Sequence, residues 1–217
     1  MQETMFVDPQ RCIGCRSCVA ACRECSTHKG YSMIFVDFFD RGETTATMPT
    51  ICMHCAEPTC AQVCPADAIK QNEDGVVMTA LKPRCLDCRN CVNACPFGVP
   101  KYNSAMHLQM KCDMCYDRSS EGLKPMCASV CPTGALTFGK YEDVVPLRRT
   151  KPVNIHYFGN QKVETKVYLM MPTNHTDAIQ VDGDTEFEEH LSAKAGDEAS
   201  WLESEMGETD NSNEFRS

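Results

Sequence analysis

Four cysteines form a dense run near the middle of this 217-residue chain. Cys85, Cys88, Cys91 and Cys95 are separated by two, two and three residues, and Pro96 follows the last of them. The spacing C-x₂-C-x₂-C-x₃-C-P is typical of iron–sulfur binding, in which three thiolates hold one [4Fe-4S] cluster and the fourth points to a second cluster. One such run therefore predicts a partner run.

Three further quartets occur in the chain, so that sixteen of its seventeen cysteines are grouped in fours. The second quartet has four residues before its third cysteine, and the fourth quartet has eleven polar residues at 116–126 that predict a surface loop. Proline follows the second and fourth quartets, whereas Arg23 follows the first. The three quartets are Cys12, Cys15, Cys18 and Cys22; Cys52, Cys55, Cys60 and Cys64; and Cys112, Cys115, Cys127 and Cys131.

Zinc is the alternative metal, because pairs of the form Cys-x₂-Cys also bind structural zinc. A tetrahedral ion takes four ligands from two pairs and has no use for a third evenly spaced thiol. The first and third quartets both have that third thiol, and the prolines add to the iron–sulfur pattern. The sequence therefore favours four [4Fe-4S] clusters over zinc.

The seventeenth thiol, Cys25, lies outside the quartets. It could be a swapped ligand, a redox-reactive thiol or part of a fifth site with His28, but a spare cysteine is commonly an inert small hydrophobe, and this is what we expect. His54, inside the second quartet, is not expected to be a ligand because four thiols are already present there.

Charge and hydropathy limit the possible partners. The net charge of −9 lies almost entirely in residues 182–217, where twelve acidic residues face two basic ones, a balance of −10. This tail is either disordered or lies along another protein through Phe187, Trp201 and Leu202. Nothing indicates nucleic acid as a partner, and no apolar window is long enough for a membrane span. No leader is evident at Met1, so we expect a cytoplasmic protein, attached to a membrane through a partner, or a periplasmic one if a signal-bearing partner exports it.

Short strands are expected around the quartets. Residues 6–8, 31–39 and 106–110 are predicted strands, 40–43 a turn, and 65–78 a hairpin with Asp74-Gly75 at its turn. A second hairpin is expected from residues 155–158 and 163–170, connected by Gly159-Asn160. Gly14 should allow the tight turn between Cys12 and Cys15.

The order of the quartets, the longer second run, the start of the fourth (Cys112, Asp113, Cys115, Asp117, Arg118) and the stretch 95–103 (CPFGVPKYN) resemble one family. It is the four-cluster iron–sulfur subunit of respiratory molybdopterin oxidoreductases, such as dimethyl sulfoxide reductase, nitrate reductase and formate dehydrogenase. The resemblance covers about residues 5–140. It implies an α+β fold of two pseudo-symmetric bacterial-type 2[4Fe-4S] ferredoxin modules with short hairpins, followed here by an extended acidic C-terminal tail.

The resemblance also implies how the chain is divided and which cysteines bind which cluster. The expected parts are a first module from residues 1–48 and 104–145, an inserted second module at 49–103, an appended hairpin at 146–181 and a partner-binding or disordered tail at 182–217. The expected ligands are Cys12, Cys15, Cys18 and Cys131 for cluster 1; Cys112, Cys115, Cys127 and Cys22 for cluster 2; Cys52, Cys55, Cys60 and Cys95 for cluster 3; and Cys85, Cys88, Cys91 and Cys64 for cluster 4.

The function implied is electron conduction with no substrate chemistry in this chain. Cluster 1 would face a molybdenum or tungsten catalytic subunit, and cluster 4 would face a quinone- or haem-bearing membrane subunit or another carrier. The sequence contains no nucleophile triad, phosphate loop or dinucleotide motif that would argue for substrate chemistry instead. The alternatives are an equivalent subunit of a hydrogenase or carbon monoxide dehydrogenase complex, and a stand-alone polyferredoxin or redox sensor in which Cys25 would be the reactive thiol.

Overall fold

A computed structural model of the chain describes residues 3–40, 45–104 and 106–181. Strands and single-turn helices alternate, and the helices are only four to six residues long. The strands are β1 (Glu3–Val7), β2 (Phe35–Asp40), β3 (Thr45–Thr50), β4 (Lys101–Asn103), β5 (Leu108–Met110), β6 (Leu136–Lys140), β7 (Lys151–Phe158), β8 (Gln161–Met171) and β9 (Ile179–Val181). The helices are α1 (Ser17–Cys22), α2 (Thr59–Gln62), α3 (Asn90–Asn93), α4 (Tyr116–Ser119), α5 (Met126–Ser129) and α6 (Tyr141–Val144). Three 3₁₀ turns lie at Pro9–Arg11, Ser26–His28 and Val145–Leu147.

The largest sheet has five strands in the order β6-β1-β8-β7-β9. Strand β1 pairs antiparallel with β6 and parallel with β8, so the predicted hairpin β7–β8 is part of the same sheet as the N-terminal strand. Met5 and Val7 of β1 are fully buried, as is Val167 of β8. The alternation of apolar residues in these strands turns one face of the sheet toward the cysteines, which share the same apolar core.

Two small antiparallel hairpins, β2–β3 and β4–β5, complete the strands of the described residues. The strand expected at 31–39 begins four residues later than predicted, and the one expected at 106–110 is present as β5. Most of the turn predicted at 40–43, and the whole tail from residue 182, lie outside the described residues. In the part of the chain that is described, no helix is long and apolar enough to cross a membrane.

The hairpin predicted at 65–78 is reduced to a turn with a single bridge between Gln71 and Val77. Side chains occupy the backbone groups that a longer ladder would need: the Val77 N–H donates to His54 Nδ1 at 3.0 Å, and the Val77 carbonyl accepts from Lys111 Nζ. Val77 itself is buried. The stretch therefore packs inward onto the quartets and does not extend as a ribbon.

The prediction of a loop at 116–126 is wrong at its start. Residues Tyr116–Ser119 form α4, and Ser119 is buried. The carboxylate of Asp113 accepts the Cys115 N–H at 3.1 Å, and this turn leads directly into the helix. Residues 120–124 are exposed, as predicted for a loop.

Candidate metal centres

All seventeen cysteines lie in the described part of the chain, and all are free thiols. Two of the quartet cysteines, Cys15 and Cys88, are exposed, and the others are buried or half-buried. Free thiols in such number, packed within one apolar core, are a donor set for metal and not a disulfide framework.

Each quartet begins with the same backbone turn. The residue before the second cysteine is in the left-handed region in all four: Gly14 (φ +67°), His54 (+47°), Asp87 (+57°) and Met114 (+59°). This conformation costs a non-glycine residue about 1 kcal/mol or more. The prediction of a tight turn at Gly14 is confirmed, and the other three quartets adopt the same turn without glycine.

Three quartets also end alike. Two residues after the proline, Asp67 (φ +51°), Gly98 (+60°) and Gly134 (+64°) again adopt the left-handed conformation. The first quartet, which lacks the proline, differs: the residue after Cys22 has helical angles, and the chain continues into the 3₁₀ turn Ser26–His28. This difference brings Cys25 and His28 back toward the first quartet.

Electrostatic contacts between thiols group the cysteines by site, and we number the groups as sites 1 to 4. In site 1, burial raises the pKa of Cys18 to about 11, and the thiolates of Cys131, Cys12 and Cys15 add to this effect. A cysteine from the fourth quartet thus lies with three from the first. The Cys131 sulfur also accepts the Leu136 N–H at 3.4 Å.

Site 2 is a cavity in the core. Its four quartet cysteines line one pocket of the core. Burial raises the pKa of Cys127, with a contribution from Cys22, and burial raises that of Cys112, with a contribution from Cys127. The four cysteines are Cys22, Cys112, Cys115 and Cys127.

Site 3 joins the second quartet to the third. Burial raises the pKa of Cys55 to about 12, and the thiolates of Cys52, Cys95 and Cys60 add to it. Cys55 and Cys95 are half-buried, while Cys52 and Cys60 are buried.

Site 4 is the reciprocal arrangement and also forms a cavity. Burial raises the pKa of Cys91 to about 11, with contributions from Cys64, Cys85 and Cys88, and these four cysteines all line the cavity. The Cys64 sulfur accepts the Ala68 N–H at 3.2 Å.

Consecutive sites lie within electrostatic reach of one another. At each of the three junctions between sites, a thiolate of one site helps to raise the pKa of a thiol in the neighbouring site. These contacts connect site 1 to site 2, site 2 to site 3 and site 3 to site 4. The pairs are Cys18 with Cys127, Cys52 with Cys112, and Cys91 with Cys60.

A buried polar atom tests whether the site 2 cavity suits an iron–sulfur cluster. His54 lines that cavity and is 1% exposed. Its Nδ1 accepts the Val77 N–H, so the neutral ring carries its proton on Nε2, and Nε2 has no hydrogen-bond partner. Burial, together with Lys111 and Lys166, lowers the pKa of His54 well below its usual value. An unpaired N–H beside thiolates fits a sulfur-rich anionic group.

A second group of metal-ligating side chains lies against site 2. Atoms of Cys25, His28 and Asp113 lie within 4.8 Å of one another, and all three residues are buried. His28 Nε2 lies 3.2 Å from the Cys22 sulfur, and against the effect of burial its contacts with Cys22 and Cys25 raise its pKa to about 10. A hydrogen bond from the Cys115 thiol lowers the pKa of Cys25. Cys25 therefore lies against Cys115 of site 2, which the sequence spacing did not reveal.

Lys111 is the functional candidate that sequence reasoning missed. Its side chain is buried at 2% exposure, and its ammonium lies 3.5 Å from the Cys52 sulfur. The only sequence signal is its place directly after the apolar strand β5 and before Cys112, where a charge is unusual.

Comparison with known proteins places these observations in a family. The chain matches the 4Fe-4S dicluster domain over residues 44–141 and the 4Fe-4S binding domain over residues 3–24. It is 36% identical over 156 residues to a component of the anaerobic dimethyl sulfoxide reductase of Escherichia coli, and the match covers 66% of this chain and 76% of that protein.

Two further relatives extend the comparison. The thiosulfate reductase electron transfer subunit PhsB of Salmonella typhi is 36% identical over 150 residues, covering 65% of this chain and 78% of that subunit. A subunit of the sulfite dehydrogenase of Allochromatium vinosum is 29% identical over 209 residues, covering 76% of this chain and 86% of that protein.

Proposed function

Because the chain belongs to the family of iron–sulfur electron-transfer subunits of molybdopterin oxidoreductases, we propose that it holds four [4Fe-4S] clusters in series between two partners. One partner is a catalytic subunit with a molybdenum or tungsten bis(pterin) centre. The other is a quinone- or haem-bearing membrane subunit or another carrier. When bound, each cluster supplies reversible one-electron transfer. The observation that carries the proposal is that thiols of consecutive sites lie close enough to act on one another electrostatically.

The proposed ligands are the cysteines of sites 1 to 4. The grouping is supported by the thiolate contacts within each site and by the two cavities at sites 2 and 4. The sets are Cys12, Cys15, Cys18 and Cys131; Cys22, Cys112, Cys115 and Cys127; Cys52, Cys55, Cys60 and Cys95; and Cys64, Cys85, Cys88 and Cys91.

We further propose two pseudo-symmetric modules, one from residues 1–48 and 104–145 and one from 49–103. Helix α1 packs on α5 within the first, and α2 packs on α3 within the second. Arg16 and Arg89 support the symmetry: each follows a second cysteine, adopts a φ near +60° and begins a helix. Each guanidinium lies over an aromatic ring, Phe38 at 5.0 Å and Tyr102 at 4.3 Å.

The ends of the series are proposed to be sites 1 and 4, with site 1 facing the catalytic subunit. Each of these sites has one exposed cysteine, Cys15 or Cys88. Beside each lies an exposed apolar side chain, Ile13 at 66% and Leu86 at 68% exposure. Exposed apolar residues beside a redox site are typical of a docking surface that shortens the distance to a partner.

The substrate is proposed to be chosen by the catalytic partner. The relatives are named as parts of reductases or dehydrogenases of dimethyl sulfoxide, thiosulfate and sulfite. One type of electron-transfer subunit thus accompanies several substrates, and a chain that conducts electrons needs no substrate contact of its own.

The test is purification of the full chain with its native partner, followed by metal analysis and substitution of one ligand. We expect about sixteen iron atoms per chain, no zinc, and molybdenum or tungsten in the large partner. Cys88→Ser should remove or convert the site 4 cluster and stop transfer to the distal acceptor, while reduction of the remaining clusters by the catalytic partner continues. Cys25→Ser is the matched control and should keep all four clusters.

Three outcomes would overturn parts of this function. Unchanged iron content and unchanged turnover with the distal acceptor in Cys88→Ser would reject the site 4 ligand set. Nickel in the large partner would move the chain to a hydrogenase or carbon monoxide dehydrogenase complex. Stoichiometric zinc in place of iron would reject the clusters.

A further inference from the structure

A buried cation lies at the junction between sites 2 and 3. Lys111 directly precedes Cys112 of site 2, and its ammonium is 3.5 Å from the sulfur of Cys52 in site 3. The same ammonium donates to the Cys112 carbonyl at 2.8 Å and to the carbonyl of Val77. The side chain is 2% exposed. One positive charge thus contacts both of the inner sites at once.

Among the described residues, no carboxylate forms an ion pair with this charge. Two of its three contacts are neutral carbonyls, and none of the ion pairs found among residues 3–40, 45–104 and 106–181 includes Lys111. The buried carboxylate of Asp113 acts on Lys111 electrostatically but forms no ion pair with it, and its Oδ1 accepts the Cys115 N–H. Burying an unpaired ammonium costs several kcal/mol, so such a charge persists when a counter-charge lies close to it.

Iron–sulfur clusters would supply that counter-charge. A [4Fe-4S] cluster with four thiolates has a charge of roughly −2 when oxidised and one unit more negative when reduced. A nearby fixed cation therefore stabilises the reduced form more than the oxidised form, and the effect is large where the effective dielectric constant is low. Both inner sites are in such a region, because Cys52 and Cys127 are buried.

We propose that Lys111 is a positioning residue for the electron-transfer reaction, whose fixed charge raises the reduction potentials of the clusters in sites 2 and 3 together. In each transfer one electron leaves one cluster and enters the other, and no bond is made or broken. Because the charge acts on both sides of the junction, it raises both potentials and leaves the potential difference between the two clusters little changed. The inference rests on the four-cluster function proposed above.

The experiment compares four variants of the full chain in complex with its native partner. Lys111→Met removes the charge and the hydrogen bonds, Lys111→Gln removes only the charge, and Lys111→Arg keeps the charge. The control is Lys124→Gln, which removes one exposed positive charge. Iron content is measured first, and the potential of each cluster is then measured by redox titration followed by electron paramagnetic resonance.

We expect both neutral variants to lower the potentials of two of the four clusters. A shift of about tenfold in each reduction equilibrium corresponds to about 59 mV for a one-electron couple. Lys111→Arg and Lys124→Gln should leave all four potentials near those of the unmodified protein. The neutral variants could instead lose iron from sites 2 and 3. If Lys111→Arg then keeps all four clusters at their native potentials, the two inner clusters require a positive charge at position 111.

Other results would overturn the proposal. Native potentials in Lys111→Gln would mean that the residue acts only through hydrogen bonds. An equal shift of all four clusters would indicate general loosening of the fold, and loss of iron in Lys111→Arg as well would indicate a role of shape alone. Fewer than sixteen iron atoms per chain in the unmodified complex would instead count against the four-cluster function, so the two failures are distinguishable.

Discussion

The two outer sites, 1 and 4, and the two inner sites, 2 and 3, have the same backbone turn, but the tip of the turn is exposed in the outer sites and buried in the inner ones. The residue after the first cysteine is Ile13 in site 1 and Leu86 in site 4, where it is 66% and 68% exposed. At the inner sites the same position is Met53 or Asp113, which are 7% and 1% exposed. An identical backbone turn therefore presents its tip to solvent at the ends of the series and to the core in the middle. Side-chain burial, and not backbone geometry, thus distinguishes the two kinds of site, as expected if the outer sites contact partners and the inner ones do not.

The cations follow the same division. Arg16 and Arg89 are exposed, stack on aromatic rings at the outer sites, and are available to a partner. Lys111 is buried at the inner junction. A surface charge is screened by solvent and salt, whereas a buried charge acts on its neighbours almost unscreened. The outer cations are therefore suited to steering association, and the inner one to setting potentials.

The largest effect is expected from loss of an inner ligand. Cys127 is buried in the core and lines the site 2 cavity, so Cys127→Ser should remove the site 2 cluster and the packing that depends on it. Because metal-binding free energy is also folding free energy in such sites, the yield of soluble folded chain should fall at least about tenfold. The outer variant Cys88→Ser should stay folded with about three quarters of its iron. Soluble yield and iron content measure the difference.

Equal yields of the two variants would contradict the comparison, because they would show that inner and outer clusters contribute alike to folding. Cys25→Ser, which removes a buried thiol beside site 2 but no proposed ligand, serves as the control for burial alone.

The next effect is a pH dependence of stability, and it concerns His156, which packs next to site 3. His156 is 1% exposed, and its ring contacts Phe97, two residues after Cys95, edge-on at 5.1 Å. Burial lowers the pKa of His156 to about 4. The unfolded chain binds this proton near pH 6.5, so stability is complete above that pH and falls as the pH drops toward 4. The loss is on the order of 3 kcal/mol.

His156→Phe should remove this part of the acid sensitivity while keeping the aromatic contact. The measurement is the melting temperature of the chain between pH 7 and pH 4.5, with His175→Phe as a control at a half-buried site. If the melting temperatures of the unmodified chain and of His156→Phe fell in parallel as the pH is lowered, His156 would not be the source of the acid sensitivity.

A smaller effect is expected at the exposed tips. Ile13→Glu should weaken binding of the catalytic subunit about tenfold to a hundredfold, and Leu86→Glu should weaken binding of the distal partner to a similar extent, because each places a charge in a docking surface. Leu147→Glu is the control, since Leu147 is 82% exposed but belongs to no quartet. Affinities measured by titration of each partner test the pattern, and iron content should not change. Weakening of both partners by one variant would contradict the assignment of separate ends.

Much of this arrangement could be predicted from the spacing of the cysteines. The quartets fix short helices and tight turns, because ligand residues three apart leave no room for longer elements, and the β7–β8 hairpin follows from its apolar alternation and the Gly159-Asn160 turn. The assembly of the hairpin with β1 could not be predicted, because parallel pairing depends on contacts far apart in sequence.

The environment of the sites was harder to predict for a physical reason. Lys111 and His54 are positioned by Val77, which packs inward. The Val77 carbonyl accepts a hydrogen bond from Lys111, and the Val77 N–H donates one to His54. A local pattern predicted a hairpin there, but tertiary contacts replaced its ladder. The sequence predicts an inert Cys25, and the spacing of the quartets does not show the 3₁₀ turn Ser26–His28 that follows it or its place against Cys115.

The smallest effect concerns the exits of the quartets, where inner and outer sites should not differ. Gly98 follows Cys95 of an inner site and Gly134 follows Cys131 of an outer site, and both have φ near +60°. A Cβ at Gly98 meets nothing within 4 Å, and at Gly134 the nearest atom is the end of Arg148 at 3.4 Å, which can move. Each alanine should cost about 1 kcal/mol of backbone strain.

Gly159→Ala, at a hairpin turn with φ +58° and open space, measures that strain where no metal is near. Equal decreases in melting temperature for all three variants, without loss of iron, would mean that the exit turns are interchangeable and that only side chains distinguish the inner sites from the outer ones. A larger decrease or loss of iron in Gly98→Ala alone would show that the backbone of the inner sites is also specialised, because the ligand Cys95 would then tolerate less displacement than Cys131 of the outer site.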